Sequence, residues 1–321
     1  MTARNRGRTE PARPSMSRRG LLALAPLAAG VALLFAITLG GATQDQAPSP
    51  QPEPVPPMAA ETGPERTQLR FLAIADSGSG NANQRAVALR MNEVHGRSPV
   101  DLVVMGGDNI YPDGNIKRVG KTFLEPYREL LKSGVPFHAV LGNHDIRSGN
   151  GNPQVAFAPL GMKGRWYTLR RGPVEFFMLD TNVTTPWEQQ LPWLRQALAS
   201  SDAPWKVAVG HHPIYSSGHY GDDAAAIARL TPLFRRYGVQ LYINGHEHNY
   251  ERTQPIAGTT YLIVGGSGAY LRPVRPNARS ARAVSTYSFA ELSATEDTLS
   301  IQAWDSQGRR IDNATLRRSA P

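Results

Sequence analysis

Cysteine is absent from the 321 residues. That excludes disulfides, thiolate zinc sites and cysteine nucleophiles, so a metal site here must use His, Asp, Glu, Asn or Tyr. Internal repeats are also missing. The core shows no interleaving of basic and aromatic residues, which argues against nucleic-acid binding. The formal charge of +9 does not restore that reading. Six arginines and one glutamate within residues 1–20 supply +5 of it, leaving a mild +4 for the remainder. What is present suits one globular domain with a large core: 40% hydrophobic and 8% aromatic residues.

Four segments follow from composition. Residues 1–20 are polar and Arg-rich, and residues 21–41 carry no charge. Ser17-Arg18-Arg19-Gly20-Leu21-Leu22 resembles a twin-arginine export signal, with Met16 an alternative start. The apolar run is close to the roughly 20 residues that span a bilayer. Either a cleaved signal or a retained anchor fits it. Both predict an exported, extracytoplasmic protein with its N-terminus inside. Residues 42–66 are rich in Pro, Gln, Ala and Glu and read as an extended linker. The globular domain is expected over 67–321.

In that domain, apolar runs end repeatedly in Gly-flanked polar loops. Leu69–Ala75 runs into Asp76-Ser77-Gly78, and Leu102–Met105 into Gly107-Asp108-Asn109-Ile110-Tyr111. Pro136–Leu141 precedes Gly142-Asn143-His144-Asp145. Trp205–Val209 precedes Gly210-His211-His212-Pro213, and Val239–Ile243 precedes Gly245-His246-Glu247-His248. These runs read as buried strands. Helices are expected near Gln84–Val94, Phe123–Lys132, Trp187–Ala199 (with Pro192 a flaw) and Ala224–Tyr237. Trp166–Leu169 and Val174–Leu179 read as strands around Gly172-Pro173, Thr260–Val264 as another, and Tyr287–Ala294 with Leu299–Trp304 as a hairpin. The sum is a four-layer α/β/β/α sandwich of two mixed β-sheets flanked by helices. Ligand crevices of α/β sheets lie outside the strand C-termini, so the loops should converge there.

Five of the eight histidines occupy these loops, and His219 lies just beyond one. Carboxylate, imidazole, phenol and amide oxygen together suit two borderline-to-hard cations. The five ordered blocks resemble the signatures of the calcineurin-like metallophosphoesterase superfamily, over about Leu69 to Trp304. Asp76-x-Gly78 stands where much of the superfamily has Asp-x-His, and Tyr111 follows Asp108 by three. Those two positions resemble the purple acid phosphatase branch, of the tartrate-resistant acid phosphatase kind.

The resemblance implies two metal ions, Fe(III) and a divalent Fe, Zn or Mn. Asp76, Tyr111 and His248 are expected around the first, Asn143, His211 and His246 around the second, and Asp108 between them. It implies His144, oriented by Asp145, and His219 as the catalytic groups at the substrate. The implied reaction is hydrolysis of small phosphate monoesters by a metal-bound hydroxide. Plainer readings stand beside these: Asp76 and Asp108 as helix caps, Tyr111 as a packing aromatic, His144 as structural. His212 is expected as pocket wall, Glu247 as a loop prop, His95 and His138 without chemistry, and Arg272, Arg275, Arg279 and Arg282 as a solvated run. Rival functions are a Mn or Zn phosphodiesterase and a non-catalytic, anchored phosphate-binding protein. Substrate identity, second metal, pH optimum and oligomeric state carry no readable signal. Specificity is expected from the loops Arg147–Lys163 and Tyr270–Ser285.

Overall fold

The computed structural model describes residues 67–318. The segments assigned above to 1–66 lie outside the described residues. Among the described residues, no helix is long and apolar enough to cross a membrane.

In chain order the elements are β1 (Leu69–Ile74), α1 (Ala82–Arg97), β2 (Leu102–Met105), α2 (Arg128–Lys132), β3 (Phe137–Ala139), α3 (Asn152–Val155), β4 (Tyr167–Arg171), β5 (Val174–Met178), α4 (Trp187–Ser200), β6 (Trp205–Val209), α5 (Ala224–Tyr237), β7 (Leu241–Asn244), β8 (Tyr250–Thr253), β9 (Thr260–Val264), β10 (Ser280–Val284), β11 (Ser288–Ala294), β12 (Thr298–Asp305) and β13 (Arg310–Arg317). They form two mixed sheets. One has the order β13-β12-β11-β1-β2-β3, the other β10-β8-β9-β7-β6-β5-β4. β1, β2 and β3 are parallel, as are β5, β6, β7 and β9.

Strand periodicity sorts the side chains into three apolar layers. Phe71, Ala73 and Val104 of one sheet meet Phe176, Val207 and Ile243 of the other. The rings of Phe71 and Phe176 pack edge to face at 5.1 Å. The alternate residues Leu72, Ile74 and Val103 turn outward to Val87 and Met91 of α1. Across the second sheet, Phe177, Ala208 and Tyr242 meet Leu194 of α4 and Leu230 and Phe234 of α5. Apolar burial on both faces explains why the parallel strands read as continuous apolar runs. The α/β/β/α sandwich is the architecture observed.

Local departures have local causes. The helix expected over Phe123–Lys132 is split into a π-turn at Gly120–Leu124 and the short α2. That break lets Phe123 and Tyr127 both pack against Phe137, at 5.1 and 5.3 Å. Pro192 stays inside a continuous α4. The stretch 147–163 holds α3 and single helical turns, and 270–285 contains β10. β8, β10 and β13 escape a sequence reading because their polar residues are neutralised by pairing. Glu251 of β8 is buried, but it accepts from Ser217 N and Oγ and from Ser280 Oγ at 2.6–2.8 Å.

Candidate metal centre

The loops after β1, β2, β3, β6 and β7 leave parallel strands at the same end and meet there. Asp76, Asp108 and His246 hold left-handed backbone, with φ of 53°, 53° and 67°. Such strain costs on the order of 1–3 kcal/mol per residue and persists only where the surroundings enforce it. Two glycines show why the loops need that residue. A Cβ on Gly245 would lie 2.2 Å from Asp76 Oδ2, and one on Gly142 2.2 Å from Asp108 Oδ1.

Two buried carboxylates anchor the cluster. Asp76 Oδ2 accepts from His246 N at 2.8 Å. Its Oδ1 accepts from the Tyr111 hydroxyl at 3.1 Å and lies 3.3 Å from His248 Nε2. Asp108 Oδ1 accepts from His144 N at 2.8 Å and lies 3.6 Å from His211 Nε2. Asn143 Oδ1 stands 3.0 Å from both His211 Nε2 and His246 Nδ1. All seven residues expected to hold metal are therefore brought together.

The ring tautomers test whether cations fit. His211 Nδ1 is 2.9 Å from the Gly106 carbonyl, and His248 Nδ1 is 2.7 Å from the Tyr270 carbonyl. A carbonyl oxygen only accepts, so both Nδ1 atoms carry hydrogen. Nε2 of each ring then points into the cluster. His211 faces the oxygens of Asn143 and Asp108, and His248 faces Asp76 and, at 3.3 Å, the Tyr111 hydroxyl. Burial opposes a second proton on His211, but Asp108 and Asp76 outweigh it and raise its pKa; a cation at the same place takes that proton's role. The residues fit a metal centre.

Electrostatics reinforce the fit. Burial opposes charge on Asp76, but the His248 hydrogen bond and the charges of His211, His248 and His246 bring its pKa down to about 2. Burial, then His211 beside them, pushes His246 down to about 2 and His212 to about 3. Burial, Asp76 and Asp108 hold the Tyr111 phenol well above its usual range. A bound cation reverses that logic.

One expected catalytic residue needs correction. Asp145 does not orient the His144 ring. It is fully buried and accepts from Gly142 N at 2.8 Å, from Asn109 N and Nδ2 and Ile110 N at 3.1 Å, and from Gln154 Nε2 at 2.9 Å. Its work is to hold the β2 and β3 loops together. Burial, then Asp108, pushes its pKa up to about 7 against those bonds. The His144 ring is held instead at Nδ1, 2.6 Å from the Pro112 carbonyl. His144 Nε2 lies 4.0 Å from Asp108 Oδ2 and 3.3 Å from Arg147 Nη2. His219 is exposed and its ring contacts Tyr220 at 4.9 Å. Tyr220 is the neighbour that reaches the cluster: its ring stacks on His246 at 4.2 Å and 18°.

His212 Nδ1 lies 2.9 Å from Thr181 Oγ1, and a ring nitrogen of His212 lies within 4.8 Å of those of His211 and His246. His138 Nδ1 meets the Gly161 carbonyl and His95 Nδ1 accepts from Val100 N, away from the cluster. The arginine run is only partly solvated. Arg272 donates to the His246 carbonyl at 2.9 Å and to the Tyr270 hydroxyl at 3.0 Å, with its guanidinium 4.8 Å from the Tyr220 ring centre. Arg279 pairs with Asp222 at 2.6 Å. Tyr220, Tyr270, Arg272 and Thr181 carry no sequence signal, because each acts through a contact made only on folding.

Residues 69–250, more than half of the chain, match the family model described as calcineurin-like phosphoesterase. Purple acid phosphatase 7 of Arabidopsis thaliana is 33% identical over 244 residues, 65% of this chain and 73% of the relative. Tartrate-resistant acid phosphatase type 5 of Rattus norvegicus is 29% identical over 257 residues, 68% of this chain and 78% of the relative. Across such relatives the chain spans from 63% to 78% of their length. The solved structure of purple acid phosphatase PPD1 from yellow lupin (Lupinus luteus) seeds shares the fold. Its TM-score is 0.69 at 22% identity, covering 78% of this chain and 54% of that one. The chain belongs to the calcineurin-like phosphoesterase family, as a relative of its purple acid phosphatases.

Proposed function

We propose that this protein hydrolyses phosphate monoesters at a dinuclear metal centre. The observation that carries the reading is the convergence of His211 and His248 Nε2 on the buried carboxylates of Asp108 and Asp76, with Asn143 and Tyr111 beside them. Asp76, Tyr111 and His248 would hold one cation, Asn143, His211 and His246 the other, and Asp108 would serve both. Bound there, a cation pair supplies Lewis acidity toward phosphoryl oxygens and activates water. A phenolate ligand at Tyr111 favours Fe(III) for the first position, beside divalent Fe, Zn or Mn.

The remaining steps belong to the chain's own groups. His144 is held at Nδ1 by Pro112, so its Nε2, which accepts from Arg147 in the structure, is the atom that would have to exchange that contact for the phosphate. In its cationic form it donates to a phosphoryl oxygen and then passes that proton to the leaving oxygen. Arg147, beside the same nitrogen, adds an N–H toward the phosphate. Neutral Asn143 keeps the charge of its side low, so an anionic ester is not repelled. The substrates are small phosphorylated molecules rather than nucleic acid. The basic and apolar segments of residues 1–41 support export, with anchoring or signal cleavage as the two endings.

The test is the visible spectrum of the iron-reconstituted protein beside a Tyr111→Phe variant, with monoester and diester rates. A charge-transfer band lost in Tyr111→Phe, with monoesters hydrolysed faster, is expected. Bound metal and turnover without a band would demote Tyr111 to packing and put the Mn or Zn diesterase first. Turnover no greater than in Asn143→Ala would leave a phosphate-binding protein.

A further inference from the structure

His212 stands beside the donors proposed for the second cation, and no role assigned above uses its free nitrogen. Its ring centre lies 4.9 Å from that of His211 and 4.6 Å from that of His246. His211 Nε2 and His246 Nδ1 meet on Asn143 Oδ1, and a ring nitrogen of His212 comes within 4.8 Å of ring nitrogens of both. His212 therefore flanks the point where those donors converge.

The tautomer of His212 follows from one hydroxyl. Thr181 Oγ1 accepts from His211 N at 3.2 Å and from His212 N at 3.0 Å. A threonine hydroxyl has two lone pairs and one hydrogen, so both lone pairs are taken. What remains for His212 Nδ1, 2.9 Å away, is the hydroxyl hydrogen. Nδ1 therefore accepts, and the ring carries its hydrogen on Nε2. This is the opposite of His211 and His248, whose Nδ1 atoms donate to carbonyls. Those two rings suit a cation, whereas His212 offers an N–H. The residue is also fixed. Its carbonyl accepts from the Tyr242 hydroxyl at 2.8 Å, and a Cβ on Gly210 would lie 2.8 Å from Thr181 Cγ2, so Thr181 is closely packed there. Among the described residues, His212 is bonded through N, O and Nδ1 and not through Nε2. A donor held in this way needs no reorganisation to meet developing charge.

We propose that His212 is a catalytic residue whose Nε2–H donates to a phosphoryl oxygen on the His211 and His246 side of the cluster. The proposal rests on the monoester reading. The hydrogen bond strengthens as charge gathers on the phosphoryl oxygens, so it speeds turnover more than it tightens binding. No proton leaves the ring. The contact is to the group that all monoesters share, so it carries no preference among alcohols.

Zinc-loaded protein serves both tests. Long-range proton–nitrogen NMR with isotope-labelled histidine should show the His212 hydrogen on Nε2; a neutral ring with its hydrogen on Nδ1 would overturn the proposal. Steady-state kinetics then separate the donor from the ring. His212→Phe keeps a ring without an N–H. It should lower kcat by about 10²-fold and leave KM within about threefold, alike for phenyl phosphate and glycerol phosphate. Zinc bound per chain, read by elemental analysis, should match the parent. His212→Gln returns an N–H near the place of Nε2 and should recover most of the loss. The role is overturned by a kcat within about threefold of the parent in His212→Phe, by a loss confined to one ester, by loss of zinc, or by His212→Gln no better than His212→Phe. A parent protein that binds zinc but hydrolyses neither ester would sink the monoester reading itself, and this role with it, whatever the tautomer.

Discussion

The two sheets bring different chemistry to the same place. Loops after β1, β2 and β3 contribute oxygen: Asp76, Asp108, Tyr111 and Asn143. Loops after β6 and β7 contribute imidazole: His211, His246 and His248. In the proposed metal centre, one side would supply the negative charge and the other the imidazole donors. Each side is organised by a buried acid that aims at the backbone rather than the centre. Asp145 gathers N–H groups of Gly142, Asn109 and Ile110. Glu247 holds the loop carrying Tyr220. Division of labour between donors and the acids behind them is what the comparison teaches.

The largest break is expected at Asp108, whose carboxylate lies between His144 on its own side and His211 on the other. Asp108→Ala should lower kcat/KM by about 10³-fold or more and reduce the metal bound per chain, read by elemental analysis. Activity within tenfold of the parent would show that the two halves do not share this residue. The buried acids should break differently. Asp145→Ala strands several backbone donors, so it should cost about 3 kcal/mol in denaturant unfolding. Glu247→Ala leaves fewer donors and should show itself as roughly a tenfold loss of activity, with Glu247→Gln close to the parent. Reversal of that order, stability lost at Glu247 and activity alone at Asp145, would contradict the assignment.

Both donor sets were legible in the sequence, and the reason is geometric. Asp76, Asp108 and Asn143 follow apolar runs within three residues, so strand direction aims their loops at the crevice. His211, His246 and His248 lie in loops of the same kind. Asp145 was misjudged because adjacency in sequence says nothing about where a side chain points. It turns away from His144 into the loop backbone. The two-sheet frame was readable from long apolar runs, whereas β8, β10 and β13 were not. Their polar residues are satisfied by partners far along the chain, which no local pattern records.

The smallest expected effect tests whether polar links between the sheets matter away from the centre. Asp312 of β13 accepts from the Tyr250 hydroxyl and Arg252 Nε of β8, both at 2.7 Å, and so joins one sheet to the other. Burial opposes its charge, but the Arg252 and Tyr250 hydrogen bonds outweigh that and lower its pKa. A carboxylate depressed in the folded state stabilises above its unfolded pKa, about 3.9, and loses that contribution as pH falls through the folded value. Asp312→Asn should therefore cost about 1 kcal/mol near neutrality and progressively less below about pH 4. A cost that stayed constant into acid would mean that the packing of β13 against β8, not the charge of Asp312, is what the substitution disturbs. This link between the sheets would then be one of packing, like the apolar layer beside it.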